Sequence, residues 1–210
     1  MVGGVDASRG GWVAVTLDAG RVAGTFFLDS IDTDFHDLQD AEVIAVDIPI
    51  GFGPRRADEE ARKFIGGRAA AAVFTVPTRE LLEQPFQPGV HVSAQAHSLG
   101  PRIIHVTDLA ATDGRLREIH PEVSFCAMND GKPLAQRKKS YGGVIERIEL
   151  LRRHGIELAQ VDEQVSSRPI HDVLDAGAAA WSAQRIAAGS ARSLPDPPER
   201  LEGRDVAIWY

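Results

Sequence analysis

The chain has 210 residues, of which 43% are hydrophobic and 25% charged, and its formal net charge is −7. That length suits one large core, the composition is ordinary for a globular protein, and the acidic balance argues against avid, non-specific nucleic-acid binding, which usually shows as a basic excess. The single cysteine, Cys126, excludes an internal disulfide and a cysteine-based zinc site.

No stretch approaches the roughly 18 apolar residues that a membrane span needs. The first twelve residues hold Asp6, Arg9 and four glycines, unlike a signal peptide. A cytoplasmic protein in a reducing compartment, with no membrane partner, is the expectation.

Residues 2–6 read as a short apolar strand, Gly10 and Gly11 as a turn, and 12–17 as a second strand. A tight hairpin turn at 18–20 leads to a third strand at 22–28. The chain therefore opens with an antiparallel three-strand meander. Residues 29–40, with Ile31, Phe35 and Leu38 at helical spacing, predict a short helix. The run 43–48 is continuously apolar except for Asp47, as a central strand buried on both faces would be. Residues 58–65 predict a helix stopped at Gly66 and Gly67.

Four prolines (Pro77, Pro85, Pro88 and Pro101) fall in 75–101, which carries no clear period. A helix is expected at 97–111 and a strand at 116–120. A further helix at 141–154 has Val144, Ile145, Ile148 and Leu151 on one face. A long helix at 169–188 starts at Pro169 and ends at Gly189. Pro195 to Pro198 reads as a loop, and 206–209 as a last edge strand. The order predicts an α/β/α layered domain with a mixed central sheet and helices on both faces.

Five carboxylates stand at element ends. Asp6 closes the first strand and Asp47 lies late in the buried one. Glu122 follows the strand at 116–120. Asp172 and Asp175 head the long helix, three residues apart and so on one face. Below them runs a stripe of small residues, Ala176, Ala179, Ala180, Ala183 and Ala187, which lets that helix lie close to a neighbouring layer. The chemistry that uses such a set is two-metal phosphodiester hydrolysis with Mg²⁺ or Mn²⁺. Without a metal, two carboxylates ~5 Å apart repel by roughly 3 kcal/mol at an effective dielectric of 20, so fold stability alone does not favour gathering them.

Structural alternatives stay open for each. Asp6 also reads as a turn former, Asp172, Asp175 and Glu122 as helix-start acids, and Asp47 as a buried, hydrogen-bonded aspartate.

Basic residues cluster at Arg55, Arg56, Arg62, Lys63 and Arg68, and again at Lys132, Arg137, Lys138 and Lys139, followed by Arg147, Arg152 and Arg153. Arg56, Arg62, Arg68 and Arg79 suit a phosphate cradle opposite the acids. Equally, they suit surface ion pairs with Asp58, Glu59 and Glu60. His120 shares one side of an extended segment with Glu122, or bonds a neighbouring backbone group.

Several segments then carry a family resemblance: Gly4-Val5-Asp6 with Gly11-Trp12, the run from Val46 to Gly51, Arg56-Ala57-Asp58 with Ala61-Arg62, and Val73-Phe74 with Pro77 and Arg79. The run from Glu118 to Phe125, Lys138-Lys139-Ser140 with Gly143 and Arg147, and Asp172 to Ala176 followed by Trp181 complete it. Together they resemble the domain-of-unknown-function family 429, described as predicted nucleases with an RNase H fold.

The resemblance implies a single RNase H-like domain over 1–210. It implies Asp6, Asp47, Glu122, Asp172 and Asp175 as the acidic site, with Asp6, Asp47, Glu122 and Asp175 as metal ligands. Arg56, Arg62, Arg79, Lys138 and His120 are the expected substrate contacts. Many members carry two acids in a row at the start of the last helix; here the first is His171, a possible metal ligand or proton shuttle. Ala71 and Ala72 stand where small hydroxyl residues are common.

The leading expectation is a Mg²⁺- or Mn²⁺-dependent nuclease or phosphoesterase acting on a nucleic acid or a small phosphoester. A phosphotransferase of the actin and sugar-kinase type and a non-catalytic interaction domain are the alternatives.

Overall fold

Alternating side chains along the first two strands determine how this chain is layered. The computed structural model describes residues 1–32, 38–86 and 92–210. Strands β1 (Val2–Ser8), β2 (Gly11–Asp18) and β3 (Arg21–Leu28) form the expected antiparallel meander. Ala19 and Gly20 close its second hairpin with φ of 46° and 79°, the left-handed pair that a two-residue turn requires. Strand β4 (Ile44–Val46) lies parallel to β1, and β5 (Leu116–Glu118) parallel to β4. The sheet order is β3-β2-β1-β4-β5, so β1 and β4 are central.

The remaining elements, in chain order, are α1 (Arg56–Ile65), a 3-10 turn at Ala69–Ala72, α2 (Arg79–Glu83), α3 (Ala94–Leu109), α4 (Pro121–Met128), α5 (Tyr141–Arg153), α6 (Glu163–Ser166), α7 (Ile170–Ala187), β6 (Ser193–Leu201) and β7 (Arg204–Trp209). Val13, Val15 and Leu17 of β2 point into a core shared with Ala61 of α1, Phe125 of α4, Leu151 of α5 and Ala179 of α7. The intervening Trp12 and Ala14 point into a second core with Leu82 of α2 and Ile103 and Val106 of α3. Period-2 alternation therefore puts helices on both faces of a mixed sheet.

The small-residue stripe does what its spacing predicts. Ala176, Ala179, Ala180 and Ala183 are fully buried, and α7 lies directly on β1. A Cβ built on Gly4 would stand 1.9 Å from the Ala180 nitrogen and 2.4 Å from the Ala176 carbonyl oxygen. Only glycine permits that approach. Ala187, the last residue of the stripe and of α7, is exposed.

Other expectations need correction. The helix at 29–40 has its centre, 33–37 with Phe35, outside the described residues, and its flanks at 29–32 and 38–40 are not helical. Pro88 also lies outside them. The segment from Pro195 to Pro198 is part of β6, in the irregular stretch between Leu194 and Glu199 where the ladder register shifts; proline has no N–H to give a ladder. Strand β7 is paired with β6 in a separate two-stranded sheet and meets the main sheet through an isolated parallel bridge from Trp209 to Ile119. No helix among the described residues is long and apolar enough to cross a membrane.

Candidate metal centre

The same alternation that builds the two cores brings Asp6 and Asp47 together. Val5 and Val46 are register partners on the parallel β1–β4 pair, and both point into the core beneath α2 and α3. The next residue along the chain on each side faces the other way. Those residues are Asp6, two short of the end of β1, and Asp47, which stands just past β4 rather than late within it as expected, with the Asp47 N–H donating to the Val5 carbonyl at 2.9 Å. The face they turn to is the one α7 covers. Asp175 stands one position before Ala176, so the close seating of α7 on Gly4 lowers its carboxylate onto the strand ends. One carboxylate oxygen from each of Asp6, Asp47 and Asp175 lies within 4.8 Å of the others.

This gathering carries an electrostatic cost. Asp6 is 6% exposed and Asp175 fully buried. Burial first, then the Asp47 and Asp175 charges, holds the Asp6 carboxyl well above the ordinary carboxylate range. Burial pushes Asp47 up to about 6, although Lys138 and a hydrogen bond with Asp6 pull it back. Burial, with Asp47 and Glu122 adding to it, pushes Asp175 up to about 7 against the pull of Lys138. The Lys138 ammonium touches Asp175 Oδ2. It is held in its charged form by Asp175, Asp47 and Asp6, which outweigh the burial that opposes it. Neither carboxylate oxygen of Asp175 has a well-aligned hydrogen-bond donor, though both are buried.

A fully buried carboxylate with no such donor, beside two others and one borrowed ammonium, is a site that lacks positive charge. Three oxygen ligands of this kind fit a small divalent cation, and Lys138 sits as a stand-in for one.

Asp6 and Asp47 open into a cavity of about 490 Å³ that Glu122, Asp172, His120, His171 and Lys138 also line, while Asp175 lies buried behind them. Glu122 does not join the group of three. Proline 121 starts α4, so Glu122 lies one residue inside that helix rather than at a strand end, and its Oε1 is paired with Arg147. Arg147 is 1% exposed and needs that counter-charge. Asp172 is also outside the group. Its Oδ2 accepts from the Ser8 hydroxyl at 2.7 Å, which ties the first turn of α7 to the end of β1. His171 Nε2 lies 3.3 Å from Asp172 Oδ1, and burial lowers the pKa of its ring.

His120 caps α4. Its Nδ1 accepts from the Glu122 N–H at 3.2 Å, so the neutral ring carries its proton on Nε2. Burial lowers its pKa, against the pull of Glu122.

Of the expected substrate contacts, Lys138 and His120 line the cavity and the three arginines do not. Arg56 is exposed at the start of α1. Arg62 donates to the Val73 carbonyl at 3.1 Å. Arg79 pairs with Asp108 and lies over the Phe52 ring, 4.7 Å from its centroid. Arg62 and Arg79 are thus engaged by partners away from the cavity.

Sequence reasoning passed over a second charged group beside the first. Arg55, 2% exposed, pairs with Asp58 and donates to both oxygens of Glu118 at 2.6 and 2.8 Å. Glu118 also accepts from the Ile50 N–H at 2.7 Å, and Asp58 from the Val76 N–H at 3.1 Å. This network fixes the segment that follows Asp47 and lines the cavity floor. Its one sequence signal is Arg55 and Asp58 at i, i+3, which also suits a surface pair. Ser8 was equally unmarked, although its place two residues after Asp6 puts both on one side of β1.

A sequence model of a family described as "Protein of unknown function (DUF429)" matches residues 4–200. No curated protein and no solved structure matches the chain.

Proposed function

We propose that this chain, which belongs to the DUF429 family, is a divalent-metal-dependent nuclease or phosphoesterase of the RNase H-like superfamily. The observation that carries the reading is the convergence of Asp6, Asp47 and Asp175 oxygens within 4.8 Å of one another. The sheet order β3-β2-β1-β4-β5, with β2 antiparallel to its neighbours, supports the RNase H-like assignment.

Asp6, Asp47 and Asp175 would hold Mg²⁺ or Mn²⁺, cations that all-oxygen sites favour. Bound there, the ion supplies positive charge that activates water and stabilises the oxygen leaving a phosphodiester. The chain's own residues do the rest. Ser8 fixes Asp172 at the cavity wall. His171 turns Nε2 to the Asp172 carboxylate, so a neutral ring carries its proton there and has Nδ1 left to accept one. Lys138, which touches Asp175, would have its ammonium free for a substrate phosphate if that carboxylate held a metal instead. The Arg147–Glu122 pair keeps a buried charge balanced behind the site.

The test is hydrolysis of DNA, RNA and nucleotide esters in Mg²⁺ or Mn²⁺ by the wild type, Asp6→Asn and Asp47→Asn. Loss of at least a hundredfold in both variants supports the reading. Equal rates in all three proteins sink it.

A further inference from the structure

A second cavity, of about 390 Å³, adjoins the acidic one. Ala72, Glu122 and Lys138 belong to the walls of both. Its other walls differ in character from the first. Arg68, Arg137 and Arg147 supply positive charge, while Pro133, Leu134 and Ala135 supply apolar surface. Arg147 is neutralised by Glu122, and Lys138 by Asp175. Arg68 and Arg137 are exposed and enter no ion pair among the described residues. Two arginines with no ion pair among the described residues therefore line this cavity, in a chain whose net charge is −7.

The wall bearing Arg137 and Lys138 is held in place. Glu146 of α5 accepts from the Ala135 and Gln136 N–H groups, each at 3.2 Å. Ser140 accepts from the Gly143 N–H at 3.1 Å and caps the same helix. The loop is thus pinned on both sides of Arg137, and its guanidinium starts from a fixed backbone.

We infer that this cavity is a subsite for the nucleotide next to the scissile phosphate, so that the substrate is a polynucleotide rather than a lone phosphoester. The inference rests on the proposed phosphodiester chemistry of the acidic centre and names its substrate class. Arg68 and Arg137 take the flanking phosphate, and the Pro133–Leu134–Ala135 wall takes the sugar or base. The volume lies within the range of small-molecule sites, about 300–1,000 Å³, and is generous for a phosphate alone. Lys138 stands on the shared wall, between the flanking phosphate and the reacting one.

The test is binding of a fluorescein-labelled single-stranded dodecamer, followed by anisotropy in Ca²⁺, with thymidine monophosphate and thymidine triphosphate as competitors. The proteins are the wild type, the double variant Arg68→Ala with Arg137→Ala, and a control that removes the same charge elsewhere, Arg152→Ala with Arg153→Ala. The dodecamer is expected to bind at least tenfold more tightly than either nucleotide. The cavity variant is expected to lose at least tenfold, and its slope of log affinity against log salt to fall by about one. The control is expected to keep the wild-type affinity.

Dodecamer binding no tighter than that of thymidine triphosphate, or equal losses in the two double variants, overturns the subsite. Asp6- and Asp47-dependent hydrolysis of a small phosphoester would still stand in that event. Conversely, arginine-dependent binding without such hydrolysis would retain the subsite and remove the catalytic reading.

Discussion

Gly4 of β1 lies so close to α7 that a Cβ on it would fall 1.9 Å from the backbone nitrogen of Ala180. The contact is between two backbones, so no rotamer change relieves it. It also sets the height of Asp175 above Asp6, because both stand within one turn or two residues of the contact. Gly4→Ala is therefore expected to destabilise the fold by at least about 2 kcal/mol and to weaken Mn²⁺ binding as α7 lifts. Gly114, where an added Cβ meets nothing within 4 Å, is the control, with Gly114→Ala within about 0.5 kcal/mol of wild type. Urea unfolding of the two variants decides it; equal costs would remove the close approach from the account.

The Lys138 ammonium is paired with Asp175. It must compete with any metal for that carboxylate. Lys138→Met is expected to bind Mn²⁺ about tenfold more tightly, a change of ~1.4 kcal/mol, while the metal-free variant melts at a lower temperature than wild type. Calorimetric titration together with thermal melts checks both. Weaker Mn²⁺ binding in the variant would mean that Lys138 supports the metal rather than replacing it.

The pH dependence of the metal-free protein has an unusual sign. Asp47 is lifted to about 6 and Asp175 to about 7 in the fold, both chiefly by burial, whereas an unfolded aspartate titrates near ~3.9. Between about pH 4 and pH 7 the folded chain holds more of these protons than the unfolded one, so their contribution to stability declines as pH rises. Above that window the loss is constant. Asp47→Asn should thus gain on wild type in urea midpoint from pH ~4 to ~7 and hold a steady advantage beyond. Mn²⁺ affinity of the wild type should rise over the same interval, as protons leave its ligands. A wild type that gains on the variant as pH rises would contradict the assigned shifts.

Removing Arg55 strands two buried carboxylates, Asp58 and Glu118. Arg55→Met is expected to cost about 3–5 kcal/mol, the usual penalty for breaking a buried pair. The exposed pair of Lys63 with Glu60 is the comparison, and Lys63→Met is expected to leave the urea midpoint unchanged. Similar losses in both would deny the Arg55 network its structural role.

Much of this was legible in the residues, and the physical reasons are specific. The meander, the two-sided burial of β4 and the register of small residues on α7 follow from periods of two and 3.6, which local sequence carries directly. Asp47 stood out because an aspartate in an apolar run needs a partner. That Asp175, and not Asp172, descends onto Asp6 follows from no period, because it depends on the rotation of α7 about its axis once Ala180 seats on Gly4; only the family resemblance set Asp175 with Asp6 and Asp47. Of the two readings of Glu122 the helix-start acid holds, since Pro121 begins α4, while the need of buried Arg147 for a counter-ion comes from a helix 25 residues away. Lys138 on the acids was equally hidden, since it reaches them from a loop with no period of its own. The charge of the arginines misled for the opposite reason: Arg62 and Arg79 spend their donors on Val73 and Asp108, contacts that no spacing announces.

The most direct measurement is anomalous diffraction from crystals of the protein soaked in Mn²⁺. The account predicts a peak bounded by Asp6, Asp47 and Asp175, with the Lys138 ammonium withdrawn from Asp175 toward the neighbouring cavity. Crystals that take up no manganese there at millimolar concentration, with Lys138 still resting on Asp175, would contradict it.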